Sequence, residues 1–252
     1  MSTRAYTAQR TRSAGVRRRT VWLAGLLPVL LAVIVFWPSL ENSWLLDDHF
    51  QVVRNRLIQS PRFYAQALTT DVWSFCDPLA RPMSNYWRPT FVGWNILNCA
   101  AFGVGSPKPW HAGNIALHAV CVFLTYRLAL ALRAGIVAAL AIACIAAVHP
   151  TRVESVAWIT ERRDVVSGFF YVLTLLFWVR HLARGAERFG RDAWLACGAY
   201  LLALLGKGTG MTLPFALLVL DVFPFQRARF VGGSRSVVAL VLEKWPLFVL
   251  GG

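Results

Sequence analysis

Acidic side chains are scarce in this chain: 12 aspartates and glutamates stand against 26 lysines and arginines in 252 residues. Also missing are a glycine-rich nucleotide loop, a serine nucleophile elbow and a zinc-protease helix, which disfavours a soluble nucleotide-sugar enzyme. The five cysteines (Cys76, Cys99, Cys121, Cys144, Cys197) form no Cys-x-x-Cys pair. Zinc therefore lacks its ligand spacing, and no metal or cofactor is expected. Cys121, Cys144 and Cys197 fall in apolar runs and read as small apolar residues, so only Cys76 and Cys99 can meet an oxidising compartment. The first apolar run has no small-residue cleavage site, which makes it a retained signal anchor.

What the chain has in abundance is apolar sequence, 57% of its residues. Several runs approach the roughly 20 residues that cross a bilayer. The expected spans are 21–40, 111–132, 135–149, 164–180, 193–206 and 209–222, with a seventh that begins near Trp245 and is cut at Gly252. The expected plan is a basic tail over 1–20, a transmembrane domain over 21–252 and a long first loop over 41–110. The fold class is therefore an all-α integral membrane protein, a polytopic helical bundle. Alternating the spans from a cytoplasmic N-terminus collects most basic residues inside: the six tail arginines, Arg127, Arg133, the arginines of 180–191, and Arg227, Arg229, Arg235 and Lys244. The net charge of +14 thus reflects topology and contact with anionic membrane lipids, not a nucleic-acid partner.

The same alternation puts the unusual charged motifs on one external face. Asp47-Asp48 follows the first span in Trp44-Leu-Leu-Asp-Asp-His-Phe50. It reads either as a solvated loop start or helix N-cap, or as a base or orienting pair at the water–lipid boundary. In the loop, 57–68 suits a short amphipathic helix opening at Ser60-Pro61, and the tryptophan-rich 86–98 suits the bilayer interface. The segment His149-Pro-Thr-Arg-Val-Glu-Ser-Val-Ala-Trp-Ile-Thr-Glu-Arg-Arg-Asp164 is either a charged hairpin or an anion site. In the second case Arg162 or Arg163 takes a phosphate and Glu154 orients a sugar hydroxyl. Lys207, flanked by Gly206 and Gly208, either snorkels to the head groups or holds a phosphate. His111, Asn114 and His118 share a helix face and read as packing or hydrogen-bonding residues.

Taken in order, several segments resemble the membrane half of the transmembrane and tetratricopeptide-repeat O-mannosyltransferase family and its bacterial relatives. They are Trp44-Leu-Leu-Asp-Asp48 with Asn55, Tyr86-Trp-Arg-Pro89, Trp110-His-Ala-Gly-Asn-Ile-Ala-Leu-His118, the stretch 149–164, Lys207 with 211–221, and Glu243-Lys-Trp-Pro-Leu-Phe248. The 149–164 stretch is the most specific of them. The resemblance implies a GT-C-like bundle in a bacterial inner membrane, with its active face extracytoplasmic and interfacial helices in the first loop. It also implies transfer of a mannose-type sugar, with inversion, from a polyprenyl-phosphate donor to a hydroxyl acceptor such as a protein serine or threonine. Asp47 or Asp48 would be the catalytic carboxylate. Arg88, Arg162, Arg163 and Lys207 would face the phosphate, with Glu154 near the sugar, and no metal is implied. Many animal members carry a glutamate where this chain has Gly208. Family members continue into more helices and repeats, whereas this sequence stops in its seventh span. The expectation is a membrane half whose transfer activity, or alternatively a non-catalytic scaffold role, depends on further C-terminal helices and repeats.

Overall fold

The computed structural model describes residues 20–77, 79, 81, 83–184, 189–229 and 235–251. The tail arginines, Glu187, Arg188 and Gly252 lie outside the described residues. Among the described residues the chain is helical, with one isolated bridge between Ala228 and Arg235. Three helical stretches, Thr20–Glu41, Lys108–Ala131 and Thr160–Ala183, are long and apolar enough to cross a membrane. The chain is an all-α membrane protein.

We number the helices α1 (Leu26–Phe36), α2 (Arg56–Gln59), α3 (Tyr64–Thr69), α4 (Pro89–Phe102), α5 (Lys108–Ala131), α6 (Ile136–Val148), α7 (Arg152–Ala157), α8 (Arg163–Ala183), α9 (Arg191–Leu204), α10 (Leu213–Val222), α11 (Val237–Glu243) and α12 (Trp245–Gly251). Helices α1, α5 and α6 pack on one another, α5 packs on α8, and α8 on α9. Small residues make these approaches possible. Ala139, Ala143 and Ala147 recur every fourth residue of α6 and are fully buried, so its backbone lies close to its neighbours. Ala193, Ala196 and Ala203 do the same for α9. Gly25 lets the first span run against α5, because a Cβ there would come within 2.7 Å of the Tyr126 ring. Apolar side chains elsewhere point outward, Leu23 and Ile34 with more than 60% of their surface exposed, as expected for faces solvated by lipid chains.

The first loop is folded. Asn55 caps α2 by accepting from the Leu57 N–H (3.0 Å), while its amide donates to the Gln51 carbonyl (3.1 Å). Ser60-Pro61 breaks the apolar stretch 57–68 into α2 and α3, joined by a 3-10 turn over Pro61–Phe63, because proline has no N–H to continue a helix. Asp71 gathers the middle of the loop, accepting from the hydroxyls of Ser74 (2.5 Å) and Ser84 (2.8 Å) and the N–H groups of Trp73 (2.9 Å) and Met83 (2.8 Å). Burial pushes its carboxyl up, but these donors outweigh that and hold it down at about 2. Helix α4, of 14 residues, is about 21 Å long and too short to span alone. It packs on α2, α3, α5 and α8.

The bundle has two chemically distinct ends. At one, the Tyr126 hydroxyl donates to the Val21 carbonyl (2.8 Å) and Arg127 lies over the Trp22 ring, 3.7 Å from its centroid. At the other, the exit of the first span, the start of α5, the segment 149–163 and the turn after α9 converge.

Candidate active site

The acidic pair is split by the fold. Asp48 is fully buried. Its Oδ2 accepts from the Leu45 N–H (3.0 Å), closing its own turn, and its Oδ1 accepts from the Thr160 N–H (2.9 Å), 112 residues further on. Burial drives its carboxyl pKa up, only partly countered by these N–H groups and the nearby positive charge of Arg162. Asp47 is half-buried and has no hydrogen-bonding or ion-pairing partner among the described residues. It follows Leu46, whose φ of 42° is in the left-handed region that branched side chains seldom occupy. A strained turn therefore presents Asp47, while Asp48 nails that turn to the 149–164 segment.

The two neighbouring arginines of that segment also separate. Arg162 is fully buried, donates from Nη2 to the Trp110 carbonyl (2.9 Å) and lies 4.8 Å from the centroid of the Trp110 ring. Trp110 is itself a hub: its indole N–H donates to the Gly103 carbonyl (2.9 Å) and its ring meets Trp44 edge-on at 5.8 Å. Arg162 thus belongs to the internal support of Asp48. Arg163 is partly exposed and ion-paired with Glu161. Asn114 donates to the Val156 carbonyl (3.1 Å), and His118 Nε2 lies 3.1 Å from the Ala147 carbonyl. Asn114 thus holds the 149–164 segment down on the bundle, while His118 ties α5 to the last turn of α6. Glu154 is exposed.

Cations line the turn after α9. Lys207 pairs with Asp164, whose other oxygen accepts from the Ser155 hydroxyl (3.2 Å). The Thr90 N–H donates to the Leu205 carbonyl (3.2 Å), which brings the start of α4 alongside. Arg88 then lies against Gly208, where a Cβ would sit 3.7 Å from its Nη1. Burial lowers the Arg88 pKa and the like charge of Arg163 lowers it further, with no carboxylate paired to it among the described residues. Next to Lys207 opens a cavity of about 180 Å³ lined by Arg152, Asp164, Ser167, Tyr171, Lys207 and Thr209. A carboxylate with free oxygens, a set of under-neutralised cations and hydroxyls at one end of a helical bundle can deprotonate an alcohol and hold an anionic leaving group.

Sequence reading passed over Trp110, Asp164 and Arg152 as site residues. Arg152 carried a usable signal. Arg152 opens its helix, and the residues three and four further along are Ser155 and Val156, so no carboxylate neutralises it at those positions.

Comparison with known proteins gives a consistent result. The Drosophila melanogaster protein O-mannosyl-transferase Tmtc2 is 32% identical over 202 residues, 78% of this chain and 21% of its own length. The Drosophila Tmtc1 protein O-mannosyl-transferase is 32% identical over 183 residues, 72% of this chain and 21% of its own. The human TMTC4 protein O-mannosyl-transferase is 27% identical over 217 residues, 76% of this chain and 28% of its own. The chain thus spans between a fifth and a third of the length of such relatives. No family model and no solved structure matches it.

Proposed function

From the premise that this chain is related to the protein O-mannosyl-transferases, we propose that it is the catalytic membrane part of an inverting GT-C-type glycosyltransferase. It moves a mannose-type sugar from a polyprenyl-phosphate donor to a hydroxyl acceptor, such as a protein serine or threonine, on the extracytoplasmic face of a bacterial inner membrane. The observation that carries this reading is the division of labour in the acidic pair. Asp47 is presented without a partner, and Asp48 is locked to Thr160 and Leu45.

In the reaction, Asp47 accepts the proton of the acceptor hydroxyl as its oxygen bonds to the anomeric carbon. The bond from that carbon to the phosphate oxygen breaks, the electron pair leaves with the phosphate, and configuration inverts. Negative charge grows on the leaving phosphate, and Arg88, Arg163 and Lys207 are the cations suited to meet it. Asp48 and Arg162 act through Asp47 as positioning residues. Glu154, exposed on the same segment, is the proposed sugar contact.

The test is transfer of mannose from a polyprenyl-phosphate donor to a serine- and threonine-containing peptide, in membranes holding the full chain. Asp47→Asn is expected to lower transfer by about 10²–10⁴-fold without altering the folded fraction. Wild-type turnover in an Asp47→Asn protein overturns the assignment of the base, and no transfer by the wild-type protein overturns the function.

A further inference from the structure

The cavity beside Lys207 has a neighbour of about 80 Å³, which shares Arg152, Asp164 and Gly168 with it. The two are parts of one cleft along a single face of α8, where Asp164, Ser167, Gly168 and Tyr171 recur at helical spacing. The smaller part reaches between α5, α6 and α8, and its walls set Val122, Ala146, Val165 and Val172 beside His118, Cys121 and Thr125. One end of the cleft is therefore cationic and hydroxylated, and the other is mainly apolar and lies among the helices of the bundle.

Three of the polar groups at the open end are engaged within the chain. Asp164 is taken by Lys207 and Ser155, and the Ser167 hydroxyl donates to the Ala203 carbonyl (2.9 Å). The Arg152 guanidinium lines both parts and has no hydrogen-bonded or ion-paired partner among the described residues. Two cations and one carboxylate leave the cleft with an excess positive charge. The uncompensated one is a planar fork of donors that matches a phosphate.

We infer that Arg152, with Lys207, forms the binding site for the phosphate of a lipid phosphoester whose hydrocarbon enters the apolar part of the cleft. The inference rests on the proposed function for its choice of lipid, a polyprenyl phosphate. A bilayer phospholipid offers the same phosphate chemistry, and the two are separated by experiment. Lys207 reaches the ligand by exchanging part of its contact with Asp164, while Arg152 has no contact to give up. Arg152 is accordingly the residue whose loss is felt most directly as affinity.

The experiment measures binding of farnesyl phosphate to the purified full chain in phosphatidylcholine nanodiscs. Farnesol, inorganic phosphate and phosphatidylglycerol are the comparison ligands. Wild-type protein is expected to bind farnesyl phosphate. Arg152→Gln is expected to weaken that binding by about tenfold or more, the effect of losing a charge-assisted phosphate contact. Arg152→Lys is expected to recover part of the loss, and farnesol binding is expected to be the same in all three proteins. Arg152 is exposed, so its variants are expected to keep the wild-type melting temperature. Equal binding of farnesyl phosphate by wild type and Arg152→Gln overturns the inference and leaves the proposed function standing. A loss shared with farnesol, or a lowered melting temperature without rescue by lysine, overturns it as a merely structural effect. Equal competition by phosphatidylglycerol makes the site a head-group site and overturns the choice of lipid. Failure of the wild-type chain to bind farnesyl phosphate removes the proposed function together with the inference.

Discussion

Two lysine–aspartate pairs stand at opposite ends of the bundle, and they are in opposite states. Lys244 and Asp221 are both fully buried, and the pair is closed on every side: Asp221 also accepts from Arg227 (2.6 Å), Arg227 reaches Glu243 (2.7 Å), and Lys244 donates to the Leu240 carbonyl (3.2 Å). Lys207 and Asp164 keep about 30% of their side-chain surface open and face a cavity. Around the sealed pair, Arg227 and Arg235 both reach Glu243. Around the open pair, Arg88 and Arg152 have no ionic partner among the described residues, and Asp47, at the exit of the first span, has none either. The same two residue types thus serve as a clasp where the network is complete and as a reactive margin where it is not. Incomplete neutralisation, more than the presence of charge, marks the end of the bundle suited to chemistry.

The largest expected effect tests the open end. Asp47→Asn is expected to lower the transfer rate by about 10²–10⁴-fold, the usual contribution of a general base, with the melting temperature unchanged. A rate loss that came with unfolding would make Asp47 another clasp and erase the contrast between the two ends. The sealed end is expected to respond in the other currency. Asp221→Ala leaves Lys244 buried beside Arg227 without its carboxylate, and is expected to cost about 3–5 kcal/mol in stability. Replacing the pair together, as Asp221→Leu with Lys244→Met, is expected to recover most of that loss in thermal unfolding of the solubilised chain. If the double variant is no better than the single one, the pair does more than neutralise itself.

Asp48 sits at the reactive end but is built like a clasp, so it is the sharpest intermediate case. Asp48→Asn sets an amide N–H against the N–H of Thr160 or Leu45, and is expected to cost about 2–3 kcal/mol. The pH dependence distinguishes this from a catalytic effect. Burial raises the folded-state pKa of Asp48 above its ordinary 3.8, so its contribution to stability is full below 3.8 and is lost as pH rises through the folded value. Melting temperatures measured across that window are expected to decline for the wild type, relative to a flatter profile in Asp48→Asn. A profile identical in the two proteins would mean that Asp48 does not feel its burial.

How much of this could be read from the chain alone depends on the range of each interaction. The three long apolar helices were legible because apolar runs are local, and the acidic pair was legible as a motif because it follows one. Which aspartate is buried was not, since the deciding donor is the Thr160 N–H and no local pattern connects residues 48 and 160. Arg162 and Arg163 are equivalent as letters. One helical step turns successive side chains by about 100°, which sends one under Trp110 and the other to Glu161. Asp71 drew no reading from the sequence, because its two donors from residues 83 and 84 arrive only when the loop folds back. The short helix Val237–Glu243 was missed because it ends at Lys244, and a charge in an apolar stretch reads as a boundary until its partner Asp221 is seen.

The smallest expected effect is also the most exacting for the comparison. Lys207→Ala removes the same chemical partner as a change at Lys244 does, from an aspartate carrying the same charge. Asp164 nevertheless keeps solvent access and the Ser155 hydroxyl, so it is not stranded as a buried ion. An ion pair at that level of exposure contributes about 0–1 kcal/mol, because water and salt screen it. Thermal unfolding of Lys207→Ala is therefore expected to stay within about 1 kcal/mol of wild type, and to move little between low and high salt. A cost near that of Asp221→Ala would show that the open pair is a clasp as well. Lys207 would then be committed to Asp164 and unable to turn to a phosphate.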